Sequence, residues 1–434
     1  MKQLTRLFIP ICLETLFYML SGMVDTLMLS AVGDYAVGAV GTANSYIGIF
    51  IIMFSIISSG MVSVMTQNIG AGRPGVAYQA RQLVVLFNAV AGVLMAVFLF
   101  SGAGAILRMV GIADALYEPA LIYLKIVGGG CILNAVIPIF SSYLRAFGYT
   151  KQPLYATIVG NIANFVMNAV FLFVLHKGVA GVATATVISK ILNLCIVLYF
   201  SHKLISAKNS TERIANKTVL GQIVKVGLPS ACETALYNVA MMLVIRFLNQ
   251  MDAEGLNVTA RSYTATISNF SYCVGAALAQ ANAIMTGWHI GAGELEECDR
   301  GTKRAAFVGV CVAVCMETAI VLGSGFIMPL FTDNPEMTAL VRKLLAIDIV
   351  LEIGRVTNLV FGQALKTSGD AVFPAVIAAV FMFVFAVGGT WLFGISMGLM
   401  AVGAYIGLAS DECVRAVGMV WRWKTGKWRT KKLV

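Results

Sequence analysis

The chain has 434 residues, of which 59% are hydrophobic and 12% charged, and its mean hydropathy is +0.85. So little polar surface cannot clothe a water-soluble globule of this length, which leaves an integral membrane protein. The net charge of +10 then reports topology and says little about any substrate.

Long, almost uncharged runs such as Leu83 to Leu107, Leu154 to Leu175 and Ala371 to Met397 lack the alternation of membrane strands, and roughly 20 apolar residues suffice for a spanning helix. The pattern predicts helices at 7–30, 36–66, 82–109, 119–143, 153–175 and 179–202, then at 221–250, 256–288, 302–330, 338–365, 371–396 and 398–421. The fold class is therefore an all-α membrane protein of twelve transmembrane helices in two six-helix lobes: an N-lobe at 1–202, a polar linker at 203–220, a C-lobe at 221–421 and a basic tail at 422–434.

The two lobes echo each other. Leu228-Pro229-Ser230-Ala231-Cys232-Glu233-Thr234-Ala235-Leu236-Tyr237 replays the run from Ile9 to Tyr18, with Pro, Glu, Thr and Tyr at the same spacing. Ile69-Gly70-Ala71-Gly72 returns as Ile290-Gly291-Ala292-Gly293, and Leu144, Gly148 and Pro153 return as Leu365, Gly369 and Pro374. Six helices per half make this a parallel repeat about the membrane normal, a common plan for transporters with a site between halves.

A cytoplasmic N-terminus puts about 22 of the 31 Lys and Arg on the cytoplasmic side, the orientation the positive-inside rule favours, with both termini in the cytoplasm. Trp421 to Lys432 interleaves Trp with Lys and Arg, as a helix end among anionic headgroups does, which disfavours a nucleic-acid role. The first helix lacks a short apolar region ending in a cleavage site and is expected to stay as an anchor. Cys311 and Cys315 share a helix face without a His or a second pair, which argues against a zinc site. There is no G-x-x-x-x-G-K-[ST] loop, so the expected energy source is an ion gradient or the substrate's own gradient. His176, His202 and His289 fall near helix ends and form no His-Glu-x-x-His arrangement, so no enzyme and no cofactor are expected.

Polar groups inside the membrane are the functional candidates, because each charge at a helix centre costs about 2.5 to 3.5 kcal/mol on insertion scales. Helix 1 carries Glu14 and Asp25, about three turns apart and so on one face. Asn161, Asn164 and Asn168 form an i, i+3, i+7 stripe; carboxamides facing a carboxylate can coordinate a cation or hydrogen-bond a protonated acid, or these can simply bond across helices. Glu233 repeats Glu14; both fit either facing groups at the cytoplasmic end of a cleft or first-turn glutamates on a helix dipole. Asp348, Glu352 and Arg355 share a face, so Arg355 can neutralise Glu352 and leave one negative charge for a cation or proton, unless the set is a structural ion pair. Glu317 and Lys190 have no evident partner in the sequence; if both face inward they could pair across helices, which sequence does not show. Phe17, Tyr18, Met19 and Tyr237 could wall a site for flat cations or simply pack.

Ile9-Pro10, Val24-Asp25-Thr26-Leu27-Met28, Ala39-Val40-Gly41 and Ile69-Gly70-Ala71-Gly72, together with the repeat, resemble the multidrug and toxic compound extrusion (MATE) family of antiporters nearly end to end. Leu351 to Asn358, followed by Gly369-Asp370 and Pro374, resembles a bacterial branch of that family. The resemblance implies two lobes around a V-shaped central cleft that exports organic cations, drugs or metabolites as sodium ions or protons move inward. Its helix 1 aspartate falls on Asp25, the implied coupling carboxylate and sodium ligand. Its helix 5 pair falls on Asn164 and Asn168, so the cluster here holds one carboxylate. The helix 7 glutamate found eight residues after the proline in many relatives is Tyr237 here, and Glu233 is the candidate to stand in for it. Burial favours a protonated carboxyl group and several oxygen ligands favour sodium, so both coupling ions stay open. A lipid or lipid-linked oligosaccharide flippase of the same superfamily is the alternative, although it calls for more basic residues in the cleft than Lys190 and Arg355. The implied partners are a small organic cation and the lipid bilayer, with no nucleic acid; the sequence sets no oligomeric state.

Overall fold

The chain folds as α-helices, in a computed structural model that describes residues 2–110, 112–206, 212–252 and 255–434. The first half contains α1 (Lys2–Ser30), α2 (Asp34–Gly70), α3 (Pro74–Val110), α4 (Asp114–Gly129), α5 (Cys131–Ala146), α6 (Lys151–Ala169) and α7 (Gly178–Leu204). The second contains α8 (Asn216–Met251), α9 (Leu256–Ala292), α10 (Leu295–Ile327), α11 (Pro335–Ser368), α12 (Val372–Phe381) and α13 (Met400–Lys424). Two compact units result, Ile9–Gly227 and Met1–Phe8 with Leu228–Val434. Of the linker expected at 203–220, residues 207–211 lie outside the described residues.

The sequence echoes are helix-stop signals. After α2 and α9, Gly72 and Gly293 adopt φ of +74° and +79°, a left-handed conformation that costs glycine little. The following amides, of Arg73 and Glu294, then reach back to the Asn68 and His289 carbonyls at 2.8 Å each, closing the same C-terminal motif twice. Gly148 and Gly369 repeat the device after α5 and α11. Matching π-helical turns, Val170–Val174 and Thr390–Ser396, lead out of the fifth predicted helix of each half.

The halves differ at one helix. The span predicted at 119–143 is two helices, α4 and α5, bent by 44°. The break falls at Gly128-Gly129-Gly130, where three residues of poor helix propensity adjoin. The corresponding stretch of α11, Ile349-Val350-Leu351, is apolar and runs unbroken.

Among the described residues, seven helices are long and apolar enough to cross a membrane, or eight if the bent pair is one span. The sequence reading expected twelve; α11 falls short by composition because it carries Asp348, Glu352, Arg355 and Lys366 on faces that pack inside its unit. Phe326, Leu330 and Leu27 are 88%, 83% and 72% exposed, an outward apolar surface suited to lipid.

The tail departs from expectation. Instead of offering its tryptophans to headgroups, it folds onto its own unit: Trp423 and Trp428 are buried and stacked with ring centroids 4.2 Å apart. Trp423 Nε1 donates to Asp299 at 2.7 Å, Arg422 pairs with Asp370 and Arg429 with Glu296. Acidic groups on α10 and after α11 compete for these side chains, and only Trp421 stays exposed.

Candidate functional site

In the unit Ile9–Gly227, α1, α6 and α7 gather the amides foreseen in the sequence around one carboxylate. Asn168 Nδ2 donates to Asp25 Oδ1 at 2.8 Å and is shared with Asn164 Oδ1 at 3.1 Å. Asn164 Nδ2 reaches Ser189 Oγ of α7 at 3.5 Å. Asn164 and Asn168 are buried, and the Asn168 Oδ1 acceptor has no hydrogen-bond partner among the described residues. Asn161 is apart from this cluster, donating to the Phe17 carbonyl at 3.0 Å, a bond between helices.

Lys190 is the group whose place the sequence missed. Its charge is felt at Asp25, and its ammonium donates to Asn134 Oδ1 at 2.8 Å. Lys190 and Glu317, both without an evident partner in the sequence, each have neighbours inside their own unit. Tyr123, with Asn44 and Thr186, also stands close to Asp25, and no spacing rule in the sequence singled it out.

Glu14 is 2% exposed and pairs with Arg145 at 2.5 Å. Glu233 pairs with Lys366 at 2.7 Å. These are the same pair twice, since Arg145 and Lys366 follow the repeated Leu144 and Leu365. The first-turn alternative is excluded for both glutamates, because α1 begins at Lys2 and α8 at Asn216, several turns earlier. Tyr18 is half exposed, beside Glu14, Thr157 and Asn193.

The other unit carries an open cavity of about 500 Å³ lined by Glu233, Tyr237, Asp348, Arg355, Asp411 and Glu412 among others. Arg355 hydrogen-bonds Glu352, as their spacing on α11 suggested, and also approaches Glu412 at 3.8 Å. Arg415 holds Asp411 and Glu412 at 2.8 Å each. Gly354 lets α11 and α13 touch: a Cβ there would lie 2.7 Å from the backbone at Glu412 and Cys413. Asp411, Glu412 and Arg415 were passed over in the sequence, although three charged residues in a predicted span were signal enough.

Helices too apolar for water, interrupted by buried carboxylates, amides and cations around a cavity, define a membrane transporter. The MatE family model matches residues 10–170 and 229–392. The chain is 32% identical to the uncharacterised transporter YisQ of Bacillus subtilis (strain 168), across 97% of this chain and 94% of that one. It is 21% identical to the probable multidrug resistance protein NorM of Thermotoga maritima, across 100% of this chain and 94% of the relative. A crystallised mutant of the Vibrio cholerae MATE transporter VcmN superposes with a TM-score of 0.88 at 17% identity, covering 99% and 98% of the two chains. An outward-facing multidrug resistance MATE transporter gives a TM-score of 0.84 at 20% identity, covering 98% and 96%. The chain belongs to the MATE family: it is a multi-pass membrane transporter, not an enzyme.

Proposed function

We propose that this transporter is an ion-coupled antiporter that exports small organic cations across the cytoplasmic membrane by alternating access. Two six-helix lobes, 1–202 and 221–421, joined by the 203–220 linker, carry the movement, with both termini and the 422–434 tail in the cytoplasm. Asp25 is the coupling carboxylate. It takes up one cation, sodium or a proton, with Asn164 and Asn168 as neighbouring oxygen ligands, and this binding biases the N-lobe toward releasing substrate.

The observation that carries this reading is Asn168. Its amide nitrogen holds Asp25 in place while its oxygen is buried and without a hydrogen-bond partner among the described residues. A carboxylate beside an unsatisfied acceptor oxygen is a pair of ligands for a positive charge. Lys190 supplies a competing charge nearby, so the incoming cation and the ammonium balance against one carboxylate.

The substrate is read from the cavity in the second unit. About 500 Å³ suits a small molecule, and Glu233, Asp348, Asp411 and Glu412 with Tyr237 offer negative charge and an aromatic face to an organic cation. The relatives named for multidrug resistance support this class.

The test is efflux of a fluorescent organic cation from proteoliposomes under an imposed sodium gradient and then a proton gradient. Wild-type export driven by one of the two gradients names the coupling ion, and Asp25→Asn abolishes it while the protein remains inserted and folded. Undiminished export by the variant removes Asp25 from the mechanism. Glu233→Gln should lower export of cationic substrates more than of neutral ones; equal losses would reduce Glu233 to its bond with Lys366.

A further inference from the structure

The geometry points to a second cation-binding site, built by Glu317 of α10 and by Asp348 and Glu352 of α11, with the hydroxyls of Ser268 and Ser271 of α9. It lies wholly within the second unit and is independent of the role proposed for Asp25. One oxygen from each of the three carboxylates lies within 4.8 Å of the others. All three side chains are buried, Glu317 and Glu352 at 0% and Asp348 at 2% exposure.

Charge balance argues for a missing cation. Among the described residues, the guanidinium whose charge acts on all three carboxylates is that of Arg355, which pairs with Glu352 and approaches Glu412. One guanidinium group thus serves these three carboxylates and Glu412 as well. Glu317 has no basic side chain bonded to it, and carboxylates this close in a low dielectric repel one another strongly.

Unsatisfied oxygens argue for it separately. Asp348 Oδ2 and Glu352 Oε2 have no hydrogen-bond partner among the described residues, and the donors that Glu317 and Asp348 meet from α9 are the hydroxyls of Ser271 and Ser268. Ser271 hydrogen-bonds Glu317 and Ser268 hydrogen-bonds Asp348, so two hydroxyls of α9 adjoin the carboxylates of α10 and α11. Leaving such groups buried and unpaired is expensive, and one ion would satisfy the set. Every donor is a hard oxygen, with no thiolate or imidazole, which selects an alkali or alkaline-earth cation over a softer transition metal. Asp348 also lines the cavity, giving the ion a way in and out.

Among the described residues, the first half has no such cluster. Where the repeat would place Glu317, Asp348 and Glu352, it carries Ala96, Val127 and Cys131. Duplication reproduced the helices, and the carboxylates belong to one copy alone. A transporter with both sites binds two cations at separate places, one in each unit.

Equilibrium binding of radioactive sodium, and separately of radioactive calcium, to the full-length protein in lipid nanodiscs tests this. Asp25→Asn should retain saturable binding of one of the two ions, which names its charge. Glu317→Gln and Ser271→Ala, each made in the Asp25→Asn background, should weaken that binding by about tenfold or more. Thermal unfolding of each variant reports its folding, and Ser271→Ala decides should Glu317→Gln not fold. Absence of binding of both ions to Asp25→Asn overturns the site, as does unchanged affinity in Ser271→Ala and Glu317→Gln. Retained binding by an export-dead Asp25→Asn separates this site from the coupling carboxylate; binding retained together with undiminished export would sink the Asp25 reading alone.

Discussion

At the scale of single residues, the repeat is written in ion pairs. Glu14 with Arg145 and Glu233 with Lys366 occupy equivalent places, yet Glu14 is almost wholly buried and Glu233 is partly open to the cavity. Removing one partner of a buried pair strands a charge, so Arg145→Met should cost about 3–5 kcal/mol of stability, read by unfolding in nanodiscs. Glu14→Leu combined with Arg145→Met should recover much of that loss; a double variant as unstable as the single would show that Arg145 acts through packing. Lys366→Met should cost less, since its glutamate can turn to water. The matched positions of Glu14 and Glu233 could be read from the sequence. Their partners could not, because Arg145 and Lys366 are more than a hundred residues away and nothing local links them.

At the scale of helices, glycines decide geometry in opposite ways. Gly129 sits at the bend between α4 and α5, and an added Cβ would meet only the Phe100 ring at 3.5 Å, an ordinary contact. Gly129→Ala should therefore be tolerated and favour the helix by about 0.5–1 kcal/mol. Gly354→Ala drives a methyl group into the α13 backbone and should cost about 1–3 kcal/mol. The same unfolding measurement on both variants checks the contrast, and equal effects would mean that α11 and α13 are not in close contact. Helix positions were legible because apolar runs and glycine stops are local. The break at Gly128-Gly129-Gly130 was legible in principle too, but hydropathy is blind to it since glycine does not interrupt an apolar run.

At the scale of the molecule, the basic residues fix the expected orientation. A reporter active only in the cytoplasm, fused after Val434, should be active, and activity of a periplasm-only reporter there would invert the topology. The tail shows where composition stops being a guide. Its Trp and basic residues read equally well as a headgroup anchor or a clasp, and only the presence of Asp299, Glu296 and Asp370 at one end of the unit selects the clasp. By itself the sequence determined the solvent, the helices, the duplication, the family and the Asp25, Asn164 and Asn168 cluster, because hydropathy, periodicity and repeated motifs act over short stretches or at a fixed offset. Tertiary structure alone decided which charges meet: Lys190 near Asp25, Glu317 with Asp348 and Glu352, and Arg415 with Asp411 and Glu412 beside them. Buried charges are placed by helix packing, and packing joins residues that no sequence interval relates.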